Sequence, residues 1–146
     1  MTGFCDRLGA KLKSRRFEIE NESDYFASAV LVPLVRHNGR LGVLFEVRSA
    51  ELNRQPGDIC FPGGRIELDD DGPQAAAMRE TQEELSLPAD AIEVIGPLNY
   101  MVSPIGVVIY PFAAYIKDFN LIRPNHGEVA EVFVAPLDYL LATDPL

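Results

Sequence analysis

Residues 61–87 read FPGGRIELDDDGPQAAAMRETQEELSL: a glycine turn at Phe61-Pro62-Gly63-Gly64, an acidic loop from Glu67 to Gly72, then a helix-forming segment from Pro73. Between Pro73 and Leu87 there is no glycine or internal proline, Ala75-Ala76-Ala77 favours helix, and Pro73 suits a first turn. At about 100° per residue, Glu80, Glu83 and Glu84 share one sector while Ala75, Met78 and Leu85 cluster opposite. One face is expected to pack and the other to present three carboxylates. Like charges at i, i+3 and i+4 cost an isolated helix roughly 0.2–0.5 kcal/mol per pair.

Two accounts fit that spacing. The ordinary one is a solvated acidic face with Arg79 pairing to Glu83 at i+4. The other is a cluster of hard oxygen ligands for Mg²⁺ or Mn²⁺, whose charge would remove the repulsion. Three features favour the metal account. Gly63 can bring a bare backbone carbonyl close to an ion, Arg79 can pin one carboxylate without occupying the others, and the order strand, turn, loop, helix folds the turn back on the helix. Glu67-x-Asp69-x-Asp71-Gly72 has the opening spacing of an EF-hand calcium loop, but position twelve would be Met78, so the bidentate ligand is missing. Asp69 and Asp70 then read as solvated turn residues and Asp71 as the helix N-cap.

Outward from this block the chain reads as alternating strands and turns. Ala27 to Val35 and Leu41 to Val47 form a hairpin about Asn38-Gly39, and Asp58 to Phe61 is a short strand stopped by Pro62-Gly63-Gly64. Ala91 to Val102 and Val107 to Ile116 are strand-like runs flanking a turn at Ser103–Gly106, Glu128 to Val134 alternates like a strand, and Pro136 to Leu141 starts a helix. Residues 6–16 form a short helix, with a polar connector at Asn21–Asp24. Strands on both sides of a central helix predict a mixed α/β domain, its sheet covered on at least one face.

The chain has 146 residues, 13 of them Lys or Arg and 22 Asp or Glu, for a formal charge of −9. With 47% hydrophobic residues it can bury a sizeable core as one globular domain spanning residues 1–146. The acidity disfavours nucleic acid and anionic membrane as partners. The basic stretch Lys11–Arg16 reads as a solvated segment. No run of 18 apolar residues and no signal-peptide core is present, so the cytoplasm is the expected compartment. Cys5 and Cys60 form no metal or disulfide pattern, and Cys60 reads as a small buried hydrophobe. Serine-hydrolase elbow, Walker, dinucleotide and zinc-protease motifs are all missing.

Gly64, six residues, Asp71, seven residues, then Arg79-Glu80-Thr81-Gln82-Glu83-Glu84-Leu85-Ser86-Leu87 resembles the Nudix box, Gly-x5-Glu-x7-Arg-Glu-U-x-Glu-Glu-x-Gly-U with U apolar. Four departures stand out: one extra loop residue, Asp71 for Glu, Thr81 for an apolar residue and Ser86 for Gly. The preceding Arg48–Gly64 stretch resembles the coenzyme A pyrophosphatase signature, Arg-Ser-x3-Arg-x3-Gly-x3-Phe-Pro-Gly-Gly, with Asn53 at the middle basic position and Arg54 one residue late. Val107–Phe112 and Glu128–Leu137 are also similar to that subfamily, so the resemblance spans roughly 27–142.

The resemblance implies a Nudix-type α/β/α sandwich with a mixed sheet, and hydrolysis of a nucleoside diphosphate linked to another group. It implies Glu80 and Glu84 as metal ligands, the Gly63 carbonyl completing the set, and Glu83 as a third ligand or an outer group held by Arg79. Glu83 and Glu128 are the candidate general bases, with Glu131 weaker. Arg48 and Arg54 are candidate contacts to the 3′-phosphate and adenine of coenzyme A, and Gly64 belongs to the substrate-facing turn. His126 is a lesser candidate for substrate phosphate, and His37 reads as an exposed hairpin residue. The primary expectation is a Mg²⁺- or Mn²⁺-dependent enzyme splitting coenzyme A into adenosine 3′,5′-bisphosphate and 4′-phosphopantetheine. The alternatives are a Nudix hydrolase for ADP-ribose or a dinucleotide, and a non-catalytic nucleotide-binding module. Family members usually carry more chain beyond this point, so the C-terminus reads as shortened. A homodimer is compatible with the sequence.

Overall fold

A computed structural model describes residues 2–13 and 26–144. The polar connector at 21–24 and the end of the first predicted helix at 14–16 lie outside the described residues. The long apolar runs form β1 (Phe26–His37) and β2 (Arg40–Arg48), joined at Asn38-Gly39, where both residues have positive φ (51° and 74°) as the tight turn requires. There follow β3 (Ile59–Cys60), β4 (Gly63–Arg65) and the helix Pro73–Leu85, which is α2 because α1 (Thr2–Lys13) precedes it. The chain continues through β5 (Ile92–Pro97), β6 (Met101–Val102), β7 (Val107–Ile116), β8 (Val129–Pro136) and α3 (Leu137–Ala142).

Period-two alternation along the strands builds two cores, one on each face of the sheet. Ala29, Leu31 and Val35 of β1, Leu44 of β2 and Ala114 and Ile116 of β7 pack with Ala76, Ala77 and Leu85 of α2. The alternate residues Leu34, Val43 and Ala113 pack with Cys5 and Leu12 of α1, and Leu137 and Leu140 of α3 lie against the same cluster. The expected α/β/α sandwich is therefore the observed arrangement. The sheet is mixed: β1 runs parallel to β7 from Phe26↔Val107 to Val35↔Ile116, and antiparallel to β2.

One topological detail positions the site. The C-terminal part of β1 pairs with β2 (Leu34↔Val43), whereas its N-terminal part pairs with β4 (Ala29↔Gly64, Val30↔Gly63). Beyond Val43, β2 leaves β1 and pairs on that side with β3 (Glu46↔Cys60). β2 and β4 therefore share β1, each pairing with a different part of it, and Phe61-Pro62 links β3 to β4.

Several boundaries differ from the sequence reading, beginning with α1, which starts at Thr2 and not at residue 6. The run 91–102 is two strands: β5 carries a bulge between Val94 and Gly96 and ends at Pro97, and pairing with β7 resumes in β6 at Met101. The helix stops at Leu85 because Ser86 adopts the left-handed conformation (φ 53°, ψ 40°). Its N-cap is Gly72, not Asp71, and no side chain caps it.

Candidate active site

The glycine turn leads into β4, which crosses in front of the last two turns of α2. Close approach explains the glycines. A Cβ on Gly63 would collide with the Ala29 carbonyl and lie 2.6 Å from Val30 Cα, and a Cβ on Gly64 would lie 2.6 Å from the Glu80 carboxyl carbon. The Gly63 N–H donates to Glu84 Oε2 at 3.1 Å. The sequence-predicted partners Gly63, Gly64, Glu80 and Glu84 therefore do meet.

Glu128 joins them from the far end of the chain, carried by a loop anchored to the C-terminus of α2. The N–H groups of Arg123 and Asn125 donate to the carbonyls of Leu85 (2.9 Å) and Glu84 (2.8 Å), satisfying acceptors that a helix end leaves open. The Glu128 and Val129 N–H groups close on the Asn125 carbonyl, and Ser49 N–H donates to the Glu128 carbonyl at 2.9 Å. As a result, carboxylate oxygens of Glu80, Glu84 and Glu128 lie within 4.8 Å of one another. Among the described residues this is the one such cluster of potential metal-ligating groups.

The three acids of the helix face are not alike, which sets this face apart from the simple solvated sector that was the ordinary account of its spacing. Glu84 is 6% exposed and packs inward with Thr81 and Leu85. Thr81, standing where an apolar residue is usual, donates its hydroxyl to the Ala77 carbonyl at 2.7 Å and so carries no unmet polar group. Glu83 points outward, 53% exposed, and is outside the trio.

Arg79 makes the i,i+4 ion pair to Glu83 at a long 3.7 Å, and its short contacts go elsewhere. Its Nε and Nη2 clamp both oxygens of Asp70, at 2.8 and 2.9 Å, and its Nη1 donates to Glu80 Oε1 at 2.9 Å. Asp70, read from sequence as a solvated turn residue, has a side chain only 7% exposed and also accepts from the Glu67 N–H at 2.8 Å. The Arg79 guanidinium, then that backbone donor, holds the Asp70 carboxyl at about 2. Asp71 makes none of these contacts.

The electrostatics of the trio are unbalanced. Burial raises the Glu80 carboxyl above its ordinary value, opposed by its hydrogen bond from Arg79. Burial pushes Glu84 up more strongly, and the neighbouring Glu46 carboxyl adds to the shift. Glu46, on β2 and 2% exposed, escaped the sequence reading; the available signal was one acid inside the apolar run Leu41–Val47. Three acids in the last two turns of α2, with no basic residue in the last turn, also stand at the negative end of the helix dipole. These groups suit a divalent cation: hard oxygen donors, converging, under-neutralised and partly buried.

The remaining candidates fall around this centre. Arg48 Nε and Nη2 donate to the Arg54 carbonyl at 3.3 and 3.1 Å, so Arg48 fixes the 49–57 loop, while the Arg54 side chain is exposed. Glu131 and His126 are exposed, and neither belongs to the trio. His37 is half-buried rather than merely exposed, its ring 4.0 Å from that of Phe119. Cys60 is half-buried and faces Glu46 across the β2–β3 pair, and burial pushes its thiol up to about 11.

A family profile described as the NUDIX domain matches residues 25–145. The chain belongs to the Nudix hydrolase family. It is 37% identical over 135 residues to the mouse peroxisomal coenzyme A diphosphatase NUDT7, covering 90% of this chain and 57% of that protein. It is 40% identical over 114 residues to an uncharacterized Nudix hydrolase NudL of Citrobacter koseri, covering 78% of this chain and 59% of that one. The chain thus spans less than two thirds of the length of these relatives. Among solved structures, the Nudix hydrolase RenU of Mycobacterium smegmatis superposes with a TM-score of 0.64 at 23% identity, over 80% of this chain and 73% of that one, a likeness of fold. By the Gly-x5-acid spacing of the box, Asp70, separated from Gly64 by five residues, takes the place of the loop acid that the sequence reading gave to Asp71. The additional residue of this chain therefore falls between that acid and Arg79.

Proposed function

We propose that this Nudix hydrolase cleaves the pyrophosphate of coenzyme A, giving adenosine 3′,5′-bisphosphate and 4′-phosphopantetheine. The convergence of Glu80, Glu84 and Glu128 beside the Gly63-Gly64 turn is the observation that carries the hydrolytic chemistry. The Arg48–Gly64 signature and the identity to a protein named coenzyme A diphosphatase favour this substrate over other nucleoside diphosphates.

Nudix hydrolases generally use divalent metals, and here Glu80, Glu84 and Glu128 are the residues offered for Mg²⁺ or Mn²⁺, with the Gly63 carbonyl as a fourth donor. A bound divalent cation neutralises phosphate oxygens and acidifies a coordinated water. Arg79 positions Glu80 and anchors the 67–72 loop through Asp70, which makes it a positioning residue. Glu83, exposed beside the trio, is offered as the base that takes the proton from attacking water. This moves Glu128 from the candidate base of the sequence reading to the ligands, and leaves Glu83, there a ligand, an outer group or a base, in the last of those roles. Arg54, exposed on the loop that Arg48 fixes, is the candidate for the 3′-phosphate.

The test is to incubate the protein with Mg²⁺ or Mn²⁺ and, separately, coenzyme A, ADP-ribose, NADH and diadenosine polyphosphates, identifying products by mass. Cleavage of coenzyme A to the two named products is expected. Intact coenzyme A beside a cleaved dinucleotide would move the substrate elsewhere in the family, and no cleavage of any would favour a binding module.

A further inference from the structure

Of the three acids in the trio, Glu80 and Glu84 are placed by α2, whereas Glu128 stands exposed on the loop that leads into β8. A loop side chain joins a converging site reliably only when its backbone is fixed. The main chain of Glu128 is held on both sides. Its carbonyl accepts from the Ser49 N–H at 2.9 Å, and its N–H donates to the Asn125 carbonyl at 2.9 Å. Asn125 is in turn tied to the helix, because its own N–H donates to the Glu84 carbonyl at 2.8 Å. Its carbonyl also takes the Val129 N–H at 2.8 Å, and its side-chain Oδ1 accepts from the Gly127 N–H at 3.2 Å. One residue thus spans two members of the trio, bonded to the backbone of Glu84 on one side and to that of Glu128 on the other.

Any residue other than proline can make the backbone bonds, but the bond to Gly127 needs this side chain. It closes a turn of the kind that Asn and Asp make with the backbone two residues on, and so sets the direction in which the chain enters Glu128. Asp would supply the same acceptor while adding a negative charge close to an already under-neutralised set of acids. Asn supplies it without charge. We propose that Asn125 is a positioning residue of the cation centre, its side chain fixing the 125–128 turn so that the Glu128 carboxylate meets those of Glu80 and Glu84. This rests on the reading of Glu80, Glu84 and Glu128 as that centre, but not on the identity of the substrate. The coupling is reciprocal: a turn that holds Glu128 for the cation is itself steadied when the cation binds.

The experiment measures Mn²⁺ binding without nucleotide, by the paramagnetic resonance of the free ion, on the native protein, Asn125→Ala, Asn125→Asp and Glu128→Gln, with melting temperatures taken in chelator. Asn125→Ala is expected to bind Mn²⁺ about tenfold more weakly, the scale on which loss of a ligand-orienting partner acts, with its cation-free melting temperature unchanged. Asn125→Asp keeps the acceptor and is expected to restore native affinity or better. Native Mn²⁺ affinity in Asn125→Ala would overturn the proposal, and a lowered melting temperature beside it would mark the turn as merely structural. Asn125→Asp binding as weakly as Asn125→Ala would also count against it, since the acceptor is then not what matters. If the Asn125 variants do not fold, amide exchange in the native protein decides: saturating Mg²⁺ is expected to slow exchange at the Gly127 and Glu128 N–H groups, and unchanged rates there contradict the coupling. Weaker binding in Glu128→Gln but not in Asn125→Ala condemns this proposal alone. If Glu128→Gln binds as native does, or the native protein binds no Mn²⁺, the reading of the centre fails and takes the proposal with it.

Discussion

Glu84 is the residue on which most of the site's physics converges: its carboxylate meets the Gly63 N–H, the Glu46 carboxyl and the two other acids of the trio. Burial raises the carboxyls of both Glu46 and Glu84 above their ordinary value of 4.5. Folded-state values above the unfolded ones mean that the native protein binds more protons, so this contribution is full below about pH 4.5 and is lost as pH rises toward neutral. Asp70 works the other way: held at about 2, it stabilises above its unfolded value of 3.8 and stops doing so as pH falls toward 2. The cation-free protein is therefore expected to melt highest near pH 4–5 and at falling temperature up to pH 8, and Glu84→Gln should flatten the upper slope. A melting temperature that rises from pH 5 to pH 8 in the native protein would contradict this. At Gly64 the prediction is steric. Gly64→Ala drives a Cβ into the Glu80 carboxyl, so Mn²⁺ affinity is expected to fall about 10- to 100-fold with little change in melting temperature, on the scale seen when ligand positioning is disturbed. Glu83→Gln should leave Mn²⁺ affinity near native, because Glu83 stands outside the trio.

At the scale of elements, what the sequence made legible depended on whether local pattern or tertiary pairing decides the outcome. The hairpin at Asn38-Gly39, the helix from Pro73 and the long β7 follow from turn chemistry and periodicity, and all three form as read. The role of Asp70 could not be read that way: three consecutive aspartates offer the same chemistry, and only the folded loop decides which one meets Arg79. Glu84's burial was hidden for a related reason, since helical spacing defines a sector but β4 and β2 determine which part of that sector is covered. Ser86 was legible as a departure at the helix end, and it adopts the left-handed conformation regardless. Ser86→Gly removes the Cβ penalty there at some entropic cost to folding, with an expected net gain of about 0.5–1 kcal/mol in denaturant unfolding. On the 49–57 loop, the prediction concerns specificity. Arg54→Ala is expected to raise KM for coenzyme A about tenfold while leaving dephospho-coenzyme A unchanged, the loss of one charge-assisted phosphate contact. An equal effect on both substrates would remove Arg54 from the 3′-phosphate.

For the molecule as a whole, the formal charge of −9 is unevenly spread: residues 67–84 carry seven acids and one base, Arg79. The fold does not leave these acids equivalent. Arg79 takes up Asp70 and Glu80 and lies 4.0 Å from Glu67, whereas Glu84, with Glu46 behind it, is left to the interior. Two cores hold that arrangement in place, so Leu44→Ala, emptying a fully buried position, is expected to cost about 2–5 kcal/mol, while Leu68→Ser, at a fully exposed one, should be near neutral. A cation that binds only the folded state adds stability by mass action, about 2.7 kcal/mol at a hundredfold excess over its Kd. The most direct measurement is the rate of coenzyme A cleavage as Mg²⁺ is titrated, run in parallel on the native protein, Glu84→Gln and Glu128→Gln, with melting temperatures taken on the same samples. Saturable Mg²⁺ dependence in the native protein and at least about 100-fold slower cleavage in both folded variants is the predicted result, since ligand loss should exceed the cost of disturbing an outer partner. Cleavage that persists in chelator, or a rate within a few-fold of native in either variant, would contradict it.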